Sequence, residues 1–145
     1  MASESQSLVL DASVAVKWFV PEQDSEDALT LRDQHIEGRL TLYAPALIIY
    51  EVANALRYRS DITEVDLERN IEALFQLDIA FIAPSSKSTA KATLTAKRLG
   101  ITVYDAIYLE LAEDIGCKLV TADDDLNTKA KDTHLVTSLS DYLIE

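Results

Sequence analysis

Ile101–Leu126 reads ITVYDAIYLELAEDIGCKLVTADDDL, and its pattern decides the fold class. Apolar residues recur at helical spacing across "VYDAIYLELAEDIG", and Gly116 supplies a helix stop. "KLVTA" follows as an apolar run of strand length, closed by Asp123, Asp124 and Asp125. A helix that passes through a glycine turn into a buried strand is one repeat of an α/β unit, because parallel strands need such a crossover.

Outward from this unit the alternation continues. "SLVL" (Ser7 to Leu10) reads as a short buried strand, and "ASVAVKWF" as a helix that ends at Val20, before Pro21. "DSEDALTLRDQHIEG" is a helix with acids early and Gly38 at its end. "LTLYAP" is a strand, Pro45 opens a helix through about Ser60, and Thr63 starts the amphipathic helix "TEVDLERNIEALFQL". "IAFIA" is a strand and "KSTAKATLTAKRLG" a helix closed by Gly100. After the opening unit, "DDLNTKAK" is a short helix and "THLVT" a last strand. The expected architecture is α/β, a mostly parallel central sheet with helices on both faces, in which ligands bind beyond the carboxyl ends of the strands.

The length of 145 residues suits a single domain spanning 1–145, and 48% apolar with 26% charged residues is ordinary globular composition. No apolar run approaches the ~20 residues that span a bilayer, so no membrane association is expected. "MASESQS" lacks a basic region followed by an apolar one, and the single cysteine, Cys117, cannot form an internal disulfide. A cytoplasmic location is therefore expected. The net charge of −12 argues against broad electrostatic binding of nucleic acid, which depends on Lys and Arg at phosphates. Acidic patches can instead hold divalent cations or a basic partner.

Four acids stand out, each with a plain alternative. Asp11 directly follows "LVL" and could be a helix N-cap, as could Ser13. Glu51 lies on the apolar stripe of "PALIIYEVANAL", where a carboxylate is costly unless paired with an arginine such as Arg57 or Arg59, or with a metal. Asp105 could belong to a capping box begun by Thr102, and Asp123 could cap the helix after "KLVT". If the strands ending at Asp11 and before Asp123 are adjacent, the acids converge on one edge of the sheet. Like charges raise each other's pKa, and a hard divalent cation with all-oxygen ligands removes that cost. No Cys/His cluster suits zinc; His35 and His134 stand alone, on a helix surface and in a strand.

Three segments together, "LVLDASVAVKWFVPE", "APALIIYEVANALRY" and the Ile101–Leu126 stretch, resemble the PIN domain, and within it the ribonuclease toxins of VapBC toxin–antitoxin systems. The resemblance implies a PIN-like three-layer sandwich and a quartet of acids that holds Mg²⁺ or Mn²⁺ and hydrolyses RNA. By motif position the quartet is Asp11, Glu51, Asp105 and Asp123, as metal ligands and catalytic residues. Ser13 and Thr121 fill the hydroxyl positions that support the acids or touch the substrate. Asp124 and Asp125 depart from the mixed or basic residues common there, which leaves open whether Asp123 or Asp124 approaches the metal. Cleavage would leave a 5′-phosphate and a 3′-hydroxyl. Lys17, Arg57 and Arg59 are candidate RNA contacts, with solvated surface charge as the plain alternative. The expected partners are the RNA substrate, a second copy in a homodimer, and a cognate antitoxin. The antitoxin would insert an arginine among the acids and lie against Val16, Trp18, Phe19 and Val20, about two of which are expected in the core.

Two rivals are weighed. A phospho-receiver domain needs paired acids after the first strand and an acceptor Asp after a middle strand, and "IAFIAPSS" has none. A PIN fold turned into a non-catalytic metal- or protein-binding module would keep the acids without cleaving RNA.

Overall fold

The computed structural model describes residues 6–144. Residues 1–5, where the expected absence of a secretion signal falls, lie outside the described residues. Among the described residues five strands form one sheet in the order β3-β2-β1-β4-β5, every pair parallel. They are β1 (Gln6–Leu10), β2 (Leu40–Pro45), β3 (Ala80–Ile82), β4 (Lys118–Thr121) and β5 (Val136–Ser138). Successive strand residues point to opposite faces. Leu8, Val9 and Leu10 are nevertheless all buried, as are Leu119, Val120 and Thr121. Both faces are therefore covered, and the molecule is a three-layer α/β sandwich.

The crossovers are α1 (Ala12–Ala15), α2 (Ser25–Ile36), α3 (Leu47–Arg57), α4 (Glu64–Gln76), α5 (Ser86–Leu99), α6 (Val103–Ile115) and α7 (Asp124–Lys129). α6 packs across β1, β2 and β4, and α5 lies on α6. β1 and β4 are neighbours, with Leu10 beside Val120, and the Asp11 N–H extends their ladder to the Val120 carbonyl at 3.1 Å. The order places β2 and β3 on one side of β1, and β4 and β5 on the other. The point where an open parallel sheet divides in this way is where its ligand crevice forms.

Several boundaries differ from expectation. The first helix is a single α turn over Ala12–Ala15 that tightens to a 3₁₀ turn over Val16–Trp18, because Pro21 disfavours helical backbone at Val20. Pro45 ends β2, in register with Ile82, and the helix starts at Leu47. The helix expected to run to Ser60 stops at Arg57. His134 sits at φ 58°, in a left-handed link, so the last strand begins only at Val136. A further short helix, α8 (Leu139–Ile144), follows directly and packs on α2 and β5. His35 is a half-buried brace: its Nδ1 accepts from the Leu42 N–H at 3.1 Å, so Nε2 carries the proton it donates to the Leu77 carbonyl at 2.7 Å.

Trp18 and Val20 are buried in the core and Val16 and Phe19 only in part, the division expected for those four residues. Among the described residues no helix is long and apolar enough to cross a membrane.

Candidate active site

Asp11 directly follows β1, at the carboxyl ends of β1 and β4. Its backbone occupies the N-cap position of α1, yet its side chain makes no capping bond. Instead Oδ2 accepts from Ser13 Oγ at 2.6 Å and from Thr121 Oγ1 at 2.8 Å. Those hydroxyls are themselves oriented: Ser13 Oγ accepts from the Ala122 N–H at 2.9 Å and Thr121 Oγ1 from the Asp123 N–H at 3.0 Å. Ser13 and Thr121 thus tie β1 and β4 together at this end of the sheet, around one carboxylate. Asp11 is only 7% exposed. Burial pushes its pKa up, the two hydroxyls pull it back in part, and the charge of Asp123 raises it again.

Glu51 comes from α3 and is half-buried. The arginine pairing weighed for it does not occur, for Arg59 pairs with Asp61 and Arg57 lies over the Tyr58 ring. Its partner is Tyr108 on α6, whose hydroxyl donates to Glu51 Oε1 at 2.6 Å. Burial raises the Glu51 pKa, and the charges of Asp11 and Asp105 add to it. The Tyr108 phenol is held far above its ordinary pKa by burial and by Glu51, so it stays a donor.

Asp105 stands in the first turn of α6, where its N–H donates to Thr102 Oγ1 at 3.0 Å, one half of the capping box expected there. Burial, then Asp11 and Asp123, raise its pKa. Asp123 caps α7: its Oδ1 accepts from the N–H groups of Asp125 and Leu126 at 3.0 and 3.2 Å. The charge of Asp123 acts on both Asp11 and Asp105, and that of Asp125 acts on Asp105.

The fold thus links the four predicted acids electrostatically: Asp11 and Asp105 act on Glu51, and Asp123 acts on both Asp11 and Asp105. Among the described residues none of the four is paired with a Lys, Arg or His side chain. Nor do three such acids already form a tight metal-holding group. The donor set is all oxygen, with three members whose charge is disfavoured by burial and mutual repulsion, which is the chemistry a hard divalent cation relieves.

A groove of about 570 Å³ has Tyr50, Tyr104 and Lys87 in its wall, together with Glu110 and Asp114, and none of the four acids lines it. Tyr50 and Tyr104 are 73% and 60% exposed and flank Glu51 and Asp105 in the chain. Of the cations expected at the site, Lys17 is turned to Glu22 Oε1 and the Gln23 carbonyl. Tyr108 is the site residue that the sequence does not single out. Its signal is a phenol on a buried stripe, three residues after Asp105, because a buried hydroxyl has to find a partner.

The fold and this cluster of acids define a PIN domain: residues 8–132 match the PIN domain family model, and the chain belongs to that family. A curated relative, Ribonuclease VapC3 of Pyrobaculum aerophilum, is 36% identical over 126 residues, covering 84% of this chain and 93% of its own. Among solved structures, PAE2754 of Pyrobaculum aerophilum superposes with TM-score 0.67 at 26% identity, covering 99% of this chain and 96% of that one. FitAcB of Neisseria gonorrhoeae shares the fold at TM-score 0.60 and 19% identity, over 90% of this chain and 95% of that chain. VapBC2 of Rickettsia felis, bound to a DNA fragment from its promoter, shares it at TM-score 0.62 and 12% identity, over 92% and 98%.

Proposed function

We propose that this chain is a metal-dependent endoribonuclease, the toxin of a toxin–antitoxin pair, acting in the cytoplasm. The observation that carries this reading is the set of four acids at the dividing point of the sheet, none neutralised by a basic side chain. The relation to a curated VapC ribonuclease over most of the chain supports the same activity.

Asp11 and Asp105 are assigned as the principal holders of Mg²⁺ or Mn²⁺, with Glu51 and Asp123 completing the set. A bound divalent cation supplies positive charge to the scissile phosphodiester and lowers the pKa of water. The protein's own part is to hold the acids and the strand. Ser13 and Thr121 fix Asp11 through Oδ2. Tyr50 and Tyr104 offer stacking faces to unpaired bases, and Lys87 offers a cation to the backbone. With an overall charge of −12, affinity depends on such local contacts, so the expected substrate is a defined RNA segment. A homodimer, and an antitoxin that places an arginine among the acids, complete the proposal.

Induced expression tests it, with wild type beside Asp11→Asn and Asp105→Asn and the ends of cellular RNA mapped. Growth arrest and discrete new 5′-phosphate ends with the wild type alone are expected. Equal behaviour of all three, without new ends, would leave a non-catalytic PIN module.

A further inference from the structure

We propose that Tyr108 is a positioning residue for Glu51, fixing its carboxylate against the helix that carries Asp105. The inference rests on the reading that the acids hold a divalent cation. Tyr108 stands one turn after Asp105 on α6, on the same side of the helix, and is 0% exposed. A phenylalanine would satisfy the packing of that position, so the hydroxyl is an addition that packing does not require. A buried hydroxyl without a partner is costly. Here the partner is Glu51 Oε1 at 2.6 Å, on α3.

The ring is locked by the core, so its oxygen is a fixed point. Glu51 is a long half-buried side chain with several rotamers, and a bond to a fixed point selects one of them. The donor and Asp105 share one helix, so the bond sets the spacing of two acids that come from different crossovers. Oε1 is taken by the phenol, so Oε2 is the oxygen that would be offered to a cation. The bond thus trades the freedom of Glu51 for a pre-set geometry, as outer partners of metal ligands do.

Magnesium affinity of the purified protein, by calorimetric titration, is to be measured for wild type, Tyr108→Phe, Glu51→Ala and the double variant. RNA cleavage is followed over a range of Mg²⁺ concentrations. Tyr108→Phe is expected to lose about 10- to 100-fold in Mg²⁺ affinity, with cleavage largely restored at saturating Mg²⁺. In the Glu51→Ala background the same substitution should change neither quantity. Wild-type affinity in Tyr108→Phe would overturn the inference, as would an equal loss with or without Glu51, the mark of a merely structural tyrosine. If Tyr108→Phe does not fold, Tyr108→Met takes its place, removing the phenol while keeping an apolar side chain, again with and without Glu51→Ala. It must show a comparable loss, and wild-type affinity there overturns the inference. A wild type that neither binds Mg²⁺ nor responds to it in cleavage removes the metal reading and this inference together. A wild type that does both, beside an indifferent Tyr108→Phe, removes this inference alone.

Discussion

A buried carboxylate is tolerable only if something meets its charge, and Asp11 has two hydroxyls on a single oxygen to do so. Removing either donor leaves that oxygen under-satisfied beside Asp123. Ser13→Ala and Thr121→Val are each expected to cost about 1–3 kcal/mol of stability and about 10- to 100-fold in cleavage. Urea unfolding and a Mg²⁺-dependent cleavage assay check the two parts. An unchanged rate in both variants would mean that Asp11 needs no support. Asp11, Asp105 and Asp123 are legible in the sequence because acids at strand ends and helix starts are visible by position alone. Position does not separate a cap from a ligand, since both need an acid at the same place. In the structure Asp11 makes no capping bond, whereas Asp123 accepts two through Oδ1. Glu51 is legible as a charge on an apolar stripe. Tyr108 is not, because an aromatic on such a stripe reads as packing and its partner lies 57 residues away in the chain.

At the level of elements, the site exists because β4 lies directly beside β1, which sets Thr121 against Asp11. The turn that delivers β4 is Gly116, at φ 80°, where the N–H closes α6 on the Ala112 and Glu113 carbonyls. A methyl group there would meet no atom within 4 Å, so the objection to a side chain is backbone conformation alone. Gly116→Ala is therefore expected to cost about 1–2 kcal/mol in urea unfolding and to leave Mg²⁺ affinity unchanged. A loss well above that range would mean that α6 and β4 shift, and the acids with them. The helix–glycine–strand order was readable because glycine punctuation and periodicity are local. Local signals fail where neighbours decide the backbone. Pro45 could open a helix, but pairing with β3 keeps it in a strand. α1 has a helical pattern yet continues only as a 3₁₀ turn ahead of Pro21. The adjacency of β1 and β4 is a tertiary fact, and the sequence supports it only as a condition.

For the whole molecule, the acids of the site oppose the stability of the metal-free fold. Asp11, Glu51 and Asp105 all have folded pKa values raised, by burial first and by one another's charges. The folded protein therefore keeps protons at pH values where the unfolded chain has released them. With more protons bound in the native state, unfolding free energy falls as pH rises. The fall begins near the ordinary carboxylate pKa of about 4 and ends once the raised values are passed. Asp61, held low by Arg59, acts in the opposite direction but is fully exposed and matters only at lower pH. General repulsion at a net charge of −12 also grows with pH, so the slope of the wild type alone is not diagnostic. Asp11→Asn separates the two effects: the amide can still accept from Ser13 and Thr121, and it carries no charge to bury. In EDTA, Tm of the wild type is expected to fall as pH rises above about 4, and Tm of Asp11→Asn to fall less and end higher at neutral pH. Added Mg²⁺ should raise the wild-type Tm increasingly across the same window, by mass action on the ionised site, and raise that of Asp11→Asn little. Parallel pH profiles for the two proteins, with equal responses to Mg²⁺, would show that the Asp11 charge is neither strained in the metal-free fold nor relieved by a cation.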